Sequence, residues 1–272
     1  MSTAAPEGRM STAAAGSTMS STARDAVRGP VRRAVHAEWT KLRTSAGNWW
    51  LLLGAVAATI GLSAFVSGAI SCVAGCTADL PKVSLTGVQL GQAVVAILAA
   101  MVIGNEYATG MVRVSLAAVP GRTRLFVAKA VVLLATTAVA SVVGVAGSVL
   151  AGRVLLPAHE FVWRPAVGSV LYLELVALLS LGLATAVRSP AAAAGIVLAL
   201  MYAWPIVALA VGDKAWSRRL DQIGPMTAGA AVQVTKDLAA LPIGPWAGLG
   251  VLALWAVAAM LAGWVVLVRR DA

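Results

Sequence analysis

The chain reads as an all-α polytopic membrane protein with six transmembrane helices, an N-terminal interfacial helix and both termini in the cytoplasm. Three observations predict this. Six apolar stretches each reach the roughly 20 residues that cross a hydrocarbon core at about 1.5 Å per residue. The 272 residues are 60% hydrophobic and only 12% charged, about half the charge of an ordinary soluble domain. The basic residues gather at the borders of the apolar stretches, where they set topology and meet anionic lipid. A net charge of +10 therefore points to a membrane surface and not to nucleic acid. Arginine outnumbers lysine 16 to 5, a compositional hint of a high-GC bacterial genome.

Residues 1–29 are rich in Ser, Thr and Ala and have no apolar core, so a disordered tail is expected and not a signal peptide. MSTAA occurs at Met1 and again at Met10, which leaves the start codon open. Residues 30–272 form the membrane domain. From Val31 to Thr44, Val31, Ala34, Val35, Trp39 and Leu42 fall on one helical face, after a Pro30 suited to a helix start. Arg32, Arg33, His36, Thr40, Lys41 and Arg43 occupy the others. Such a helix lies in the headgroup plane, with Trp39 dipping inward and the cations on lipid phosphate.

The first span covers about 49–70 and opens on an interfacial Trp49–Trp50 pair. A short loop with Cys72 and Cys76 leads to the second, about 85–104. The third, fourth and fifth spans cover about 125–150, 166–187 and 192–211, with a tight Arg188–Ser189–Pro190 turn between the last two. Trp204–Pro205 should kink the fifth. The segment 212–244 precedes a sixth span at about 246–268. With the N-terminus inside, 14 basic residues fall on the inner side and 7 on the outer, which favours cytoplasmic termini. Trp163, Trp216 and Trp246 then belong to the outer belt, and Gly144 and Gly147 to close helix packing.

Catalysis finds no support. Only two histidines are present, and no HExxH, GxSxG or metal-ligand spacing occurs. No catalytic or metal-binding residue is therefore assigned. GxxxxGK[ST] is also missing, so this chain holds no ATP in a Walker loop of its own. The most specific local signal is the inner loop NEYATGMVRVSLAAVP, Asn105 to Pro120. Tyr107, Met111, Val114 and Ala118 recur at helical spacing, with Glu106, Thr109 and Arg113 off that stripe. Such a helix either rests on lipid or presents a face to a soluble partner, and periodicity does not choose.

The runs HAEWTKLRTSAGNWW from His36, NEYATGMVRVSLAAVPGRTRLFVAKA from Asn105 and WVVLVRRDA from Trp264 resemble the permease subunits of ABC-2 type exporters of the actinobacterial kind. The resemblance covers the chain from about residue 30 to its end. It implies a multi-pass protein of the bacterial plasma membrane that pairs with a second permease copy or paralogue and with separate ABC ATPase subunits. ATP and Mg would be bound by that partner, and no cofactor by this chain. It implies an elbow helix at Glu38, Trp39, Lys41 and Leu42. It implies an ATPase-coupling segment at Glu106, Tyr107, Thr109, Gly110, Met111, Arg113 and Leu116. Short re-entrant helices are implied within 212–244. A drug, peptide, lipid or polysaccharide cargo is compatible with it.

Glu174 stands out, because an ionisable group inside a span costs roughly 2.5 kcal/mol or more on insertion scales. It is either a substrate or proton contact facing a cavity, or a protonated or hydrogen-bonded carboxyl within the bundle. Gln89 and Gln92 either line a path or bond between helices, the latter being the commoner use. Cys72 and Cys76 are either bridged in an oxidising outer compartment or free thiols. The leading reading is thus an ATP-driven export permease. The alternative is a proton-coupled secondary carrier using Glu174, although no convincing repeat relates the two halves.

Overall fold

The computed structural model describes residues 32–70, 78–118, 121–156 and 161–269. The expected tail at 1–29 and the pair Cys72 and Cys76 lie outside the described residues. Those residues form helices joined by short turns, with no strand among them. Helix α1 covers residues 32–44. It is followed by α2 (Ala46–Ala69), α3 (Leu80–Ser84), α4 (Val88–Ala108), α5 (Met111–Ala118), α6 (Arg122–Leu155) and α7 (Trp163–Val187). Next come α8 (Pro190–Leu198), a π-helical turn (Ala199–Ala203), α9 (Trp204–Ala210), α10 (Lys214–Ile223), α11 (Pro225–Ala230) and α12 (Pro245–Arg269). Six runs among the described residues are long and apolar enough to span: α2, α3–α4, α6, α7, α8–α9 and α12.

All six expected spans are present, the second and third extended the most beyond their expected bounds. The second begins with α3, which Asp79 caps by accepting from the Lys82 amide, as an N-cap aspartate does. The third is a 34-residue helix, about 51 Å long, and so outreaches a hydrocarbon core of about 30 Å. Its first turns stand at the bundle's edge, beside the end of α12. There Arg122 donates to the carbonyls of Leu267 and Val268 at 3.0 and 3.1 Å. A cation at a helix C-terminus satisfies carbonyls that have no intrahelical partner.

Helix α7 is the centre of the bundle and packs on α12, α4, α6 and α8. Tyr172, Val176, Leu179 and Leu181 are closed off completely. Small residues permit the closest of these contacts. A Cβ added at Gly182 would stand 2.4 Å from the Ala259 carbonyl carbon, and one at Gly263 would stand 2.5 Å from the Gly182 oxygen. Helices in lipid associate through such close packing, since lipid tails supply no hydrophobic drive. Gly144 and Gly147 take the packing role expected of them, against Thr59 and Ile60 of α2.

In the fifth span the expected break at Trp204–Pro205 takes the form of the π-helical turn. Pro205 has no N–H to give the carbonyl of Met201, and its ring crowds that oxygen, so the preceding turn widens. Residues 212–244 carry two short helices. Helix α10 stays on the rim with no buried residue. Helix α11 and the 3-10 turn Ala231–Gln233 enter the bundle against α7 and α12, burying Ala228 and Val232. Asp79 ties this end together. It accepts from the Thr235 amide at 2.5 Å, the Lys236 amide at 3.0 Å and the Thr235 hydroxyl.

Candidate functional site

At the opposite end from α10, helix α1 lies across the bundle on a stripe one turn apart, Ala34, Glu38 and Leu42, all buried. Trp39 lies off that buried stripe and is 42% exposed. A carboxylate therefore occupies the middle of the buried stripe, and it needs partners.

The loop after α4 supplies them. The apolar stripe read as one helix from Tyr107 to Ala118 is divided in the structure. Helix α4 ends at Ala108, Gly110 turns the chain at φ 70, and α5 starts at Met111. The division follows from Gly110, since a positive φ costs a side chain but not glycine. Thr109 N–H donates to the Asn105 carbonyl at 3.0 Å, and Gly110 N–H to that of Tyr107 at 3.3 Å. Tyr107 thus belongs to α4, with the Arg188 guanidinium 5.5 Å over its ring. On α5, Val112 and Ser115 turn inward while Met111 and Val114 are exposed, 48% and 61%. Arg113 and Leu116 lie on α5, and their side chains are outside the described residues.

Glu38, Lys41 and Glu106 converge on a fourth charge, Lys129 of α6. The Lys129 ammonium, wholly inaccessible, donates to Glu38 Oε2 and to Glu106 Oε1, both at 2.7 Å. Lys41 donates to Glu38 Oε1 at 3.1 Å, to Glu106 Oε1 at 3.0 Å and to Ser115 Oγ at 2.9 Å. Two carboxylates and two ammonium groups cancel, so the knot is neutral while each buried charge keeps a partner. Burial draws the Lys41 pKa down, but hydrogen bonds and charge from Glu106 and Glu38 outweigh it and hold it above the ordinary lysine value. A cavity of about 230 Å³ adjoins the knot, with Asn48, Asn105, Glu106 and Lys129 in its wall.

One cluster therefore joins four elements: α1 through Glu38 and Lys41, α4 through Glu106, α5 through Ser115 and α6 through Lys129. Leu42 packs nearby with Leu52, Leu98 and Val132. Lys129 escaped sequence reasoning, which counted it only toward orientation. The signal was there: it falls inside the stretch 125–150 assigned to the third span, where an ionisable group asks for a partner.

The sequence matches the family described as ABC-2 family transporter protein over residues 34–211. That is well over half of the chain, and it takes in most of α1 and all of α2 to α9, with every member of the charge knot. The chain belongs to the ABC-2 transporter family. It is a multi-pass plasma-membrane transport subunit rather than an enzyme. No curated protein matches it.

The remaining residues of interest in this ABC-2 family protein lie in the spans. Glu174 on α7 accepts from the Thr137 hydroxyl of α6 at 2.9 Å, with Ser141 of α6 also beside its carboxyl. Gln92 is fully buried; its Nε2 donates to Gln89 Oε1 at 3.3 Å and its Oε1 accepts from the Tyr172 hydroxyl. The Gln89 carbonyl accepts from the Tyr202 hydroxyl. These bonds join α4 to α7 and to the π-helical turn of the fifth span. Among the described residues no group of three or more His, Cys, Asp or Glu is placed to hold a metal.

Proposed function

We propose that the chain is the path-forming permease of an ATP-driven exporter, coupled through α5 to a separate ATPase subunit. The observation that carries this reading is the buried charge knot. It makes α1, α5 and the membrane helices α4 and α6 one mechanical unit, while Met111 and Val114 remain uncovered on the outer face of α5. A push on that face is transmitted to α4 and α6 without loss in a flexible joint. The end bearing α1 and α5 lies in the cytoplasm on this reading, where ATP and Mg are bound by the partner. A second permease copy completes the path, and this chain supplies the lever and the wall.

Family membership favours this reading over a proton-coupled carrier built on Glu174. The test is purification from mild detergent, which should bring down a Walker-motif ATPase in equal stoichiometry. In the reconstituted complex, Val114→Asp should abolish stimulation of that ATPase by the permease. Glu174→Gln should leave ATP-driven transport within a factor of two. A clean preparation without any ATPase, together with loss of transport in Glu174→Gln, would replace the proposal with the carrier.

A further inference from the structure

The seam between α6 and α7 at the α10 end holds a groove of about 640 Å³ that the coupling mechanism does not use. Its walls are Val142, Val145 and Val149 of α6 and Ala166, Val167 and Val170 of α7. Arg153 and Phe161 stand at its open end, with the guanidinium 5.2 Å over the ring. From Val142 to Arg153 is 11 residues, about 16 Å along the helix. That is half of a hydrocarbon core of about 30 Å, so the groove is one leaflet deep.

Two independent markers bracket the same depth. Trp163 and Trp246 sit near the open end with ring centres 6.2 Å apart, both well exposed, as tryptophans at a headgroup boundary are. Glu174 and Thr137 pair on the same two helices one turn beyond Val170, about 16 Å past Trp163 on α7. The rim of the groove is branched and exposed, with Val142, Leu150 and Val167 open to the outside. Helix partners in a membrane prefer small residues at the contact, whereas the exposed wall here is mostly branched, with Ala146 its one small exposed member. A flexible hydrocarbon chain fits a branched concave wall better than a second helix does. The planar guanidinium of Arg153 suits a phosphate at the level where lipid phosphate lies.

We propose that this groove holds one acyl chain of an anionic phospholipid from the adjoining leaflet, with the lipid phosphate on Arg153. The proposal rests on the membrane placement of α6 and α7 and not on the coupling reading. The test uses the full chain in nanodiscs of equal phosphatidylglycerol and phosphatidylcholine, with retained lipid counted by native mass spectrometry after mild detergent washing. Wild type should retain phosphatidylglycerol in preference. Arg153→Gln, at an exposed position that leaves the bundle intact, should lower that retention about fivefold, and Arg153→Lys should keep most of it. Val167→Trp should exclude both lipids while its melting temperature stays near wild type. Equal retention in wild type and Arg153→Gln would overturn the proposal. So would a disulfide between two Val149→Cys chains, with Cys72 and Cys76 replaced by serine, in native membranes, which would put a second copy on this face.

Discussion

Among the described residues Lys129 is the most deeply buried charged side chain. Its ammonium is shut away from solvent and held by two carboxylates, so removing it strands Glu38 and Glu106 with only the half-exposed Lys41. Lys129→Met should cost about 3–5 kcal/mol, the usual penalty for breaking a buried pair from one side. The double variant Glu38→Gln with Lys129→Met should recover part of that loss, and thermal melts in detergent followed by tryptophan fluorescence would measure both. Asp79 gives the clearest dependence on pH. Burial alone would raise its pKa, but the Thr235 hydroxyl and the amides of Thr235, Lys236 and Lys82 hold it below the ordinary 3.8. A carboxyl whose folded pKa is depressed stabilises above its ordinary value and loses that contribution as the pH falls through the folded one. The tie between α3 and the loop after α11 should therefore weaken below about pH 3.8. Asp79→Asn should be less stable at pH 7 and lack that acid step, as limited proteolysis of the two loops would report.

Among the elements, the α7–α12 pair depends on backbone proximity. Gly182→Val would drive a branched side chain into the Ala259–Met260 backbone. It should cost about 1–3 kcal/mol through overpacking, whereas Gly195→Ala inside α8, with open space around it, should hold or raise the melting temperature, since alanine is the better helix former. Helix boundaries also show what a period does and does not reveal. Tyr107, Met111, Val114 and Ala118 share a period, yet Gly110 divides them between two helices with different neighbours. Trp204–Pro205 was legible because a proline's missing donor acts locally. That Tyr202 in the widened turn would bond the Gln89 carbonyl depended on where α4 packs.

For the molecule as a whole, the outstanding expectation is orientation. The division of basic residues, 14 against 7, puts α1 and α5 in the cytoplasm and α10 outside. In intact cells, and in chains with Cys72 and Cys76 replaced by serine, Ser217→Cys on α10 should react with a membrane-impermeant maleimide, while Thr109→Cys should react only after permeabilisation. The reverse pattern would turn the molecule over and place the exposed face of α5 out of reach of any ATPase. The groove between α6 and α7 would then open to the inner leaflet, its chemistry unchanged.

The six spans were legible in the chain alone, because insertion of an apolar stretch is a local sum over its own residues and depends little on distant ones. Resemblance also pointed to Glu38, Lys41 and Glu106 as members of two separate functional segments. That these segments are one site emerged from the packing of the helices. Glu38 and Lys129 are 91 residues apart in the chain, as Asp79 and Thr235 are 156 apart, and no periodicity carries such pairings. A buried charge must find its opposite wherever the fold brings one. Which elements move together is therefore set by packing, while the number of times the chain crosses the membrane is set by composition.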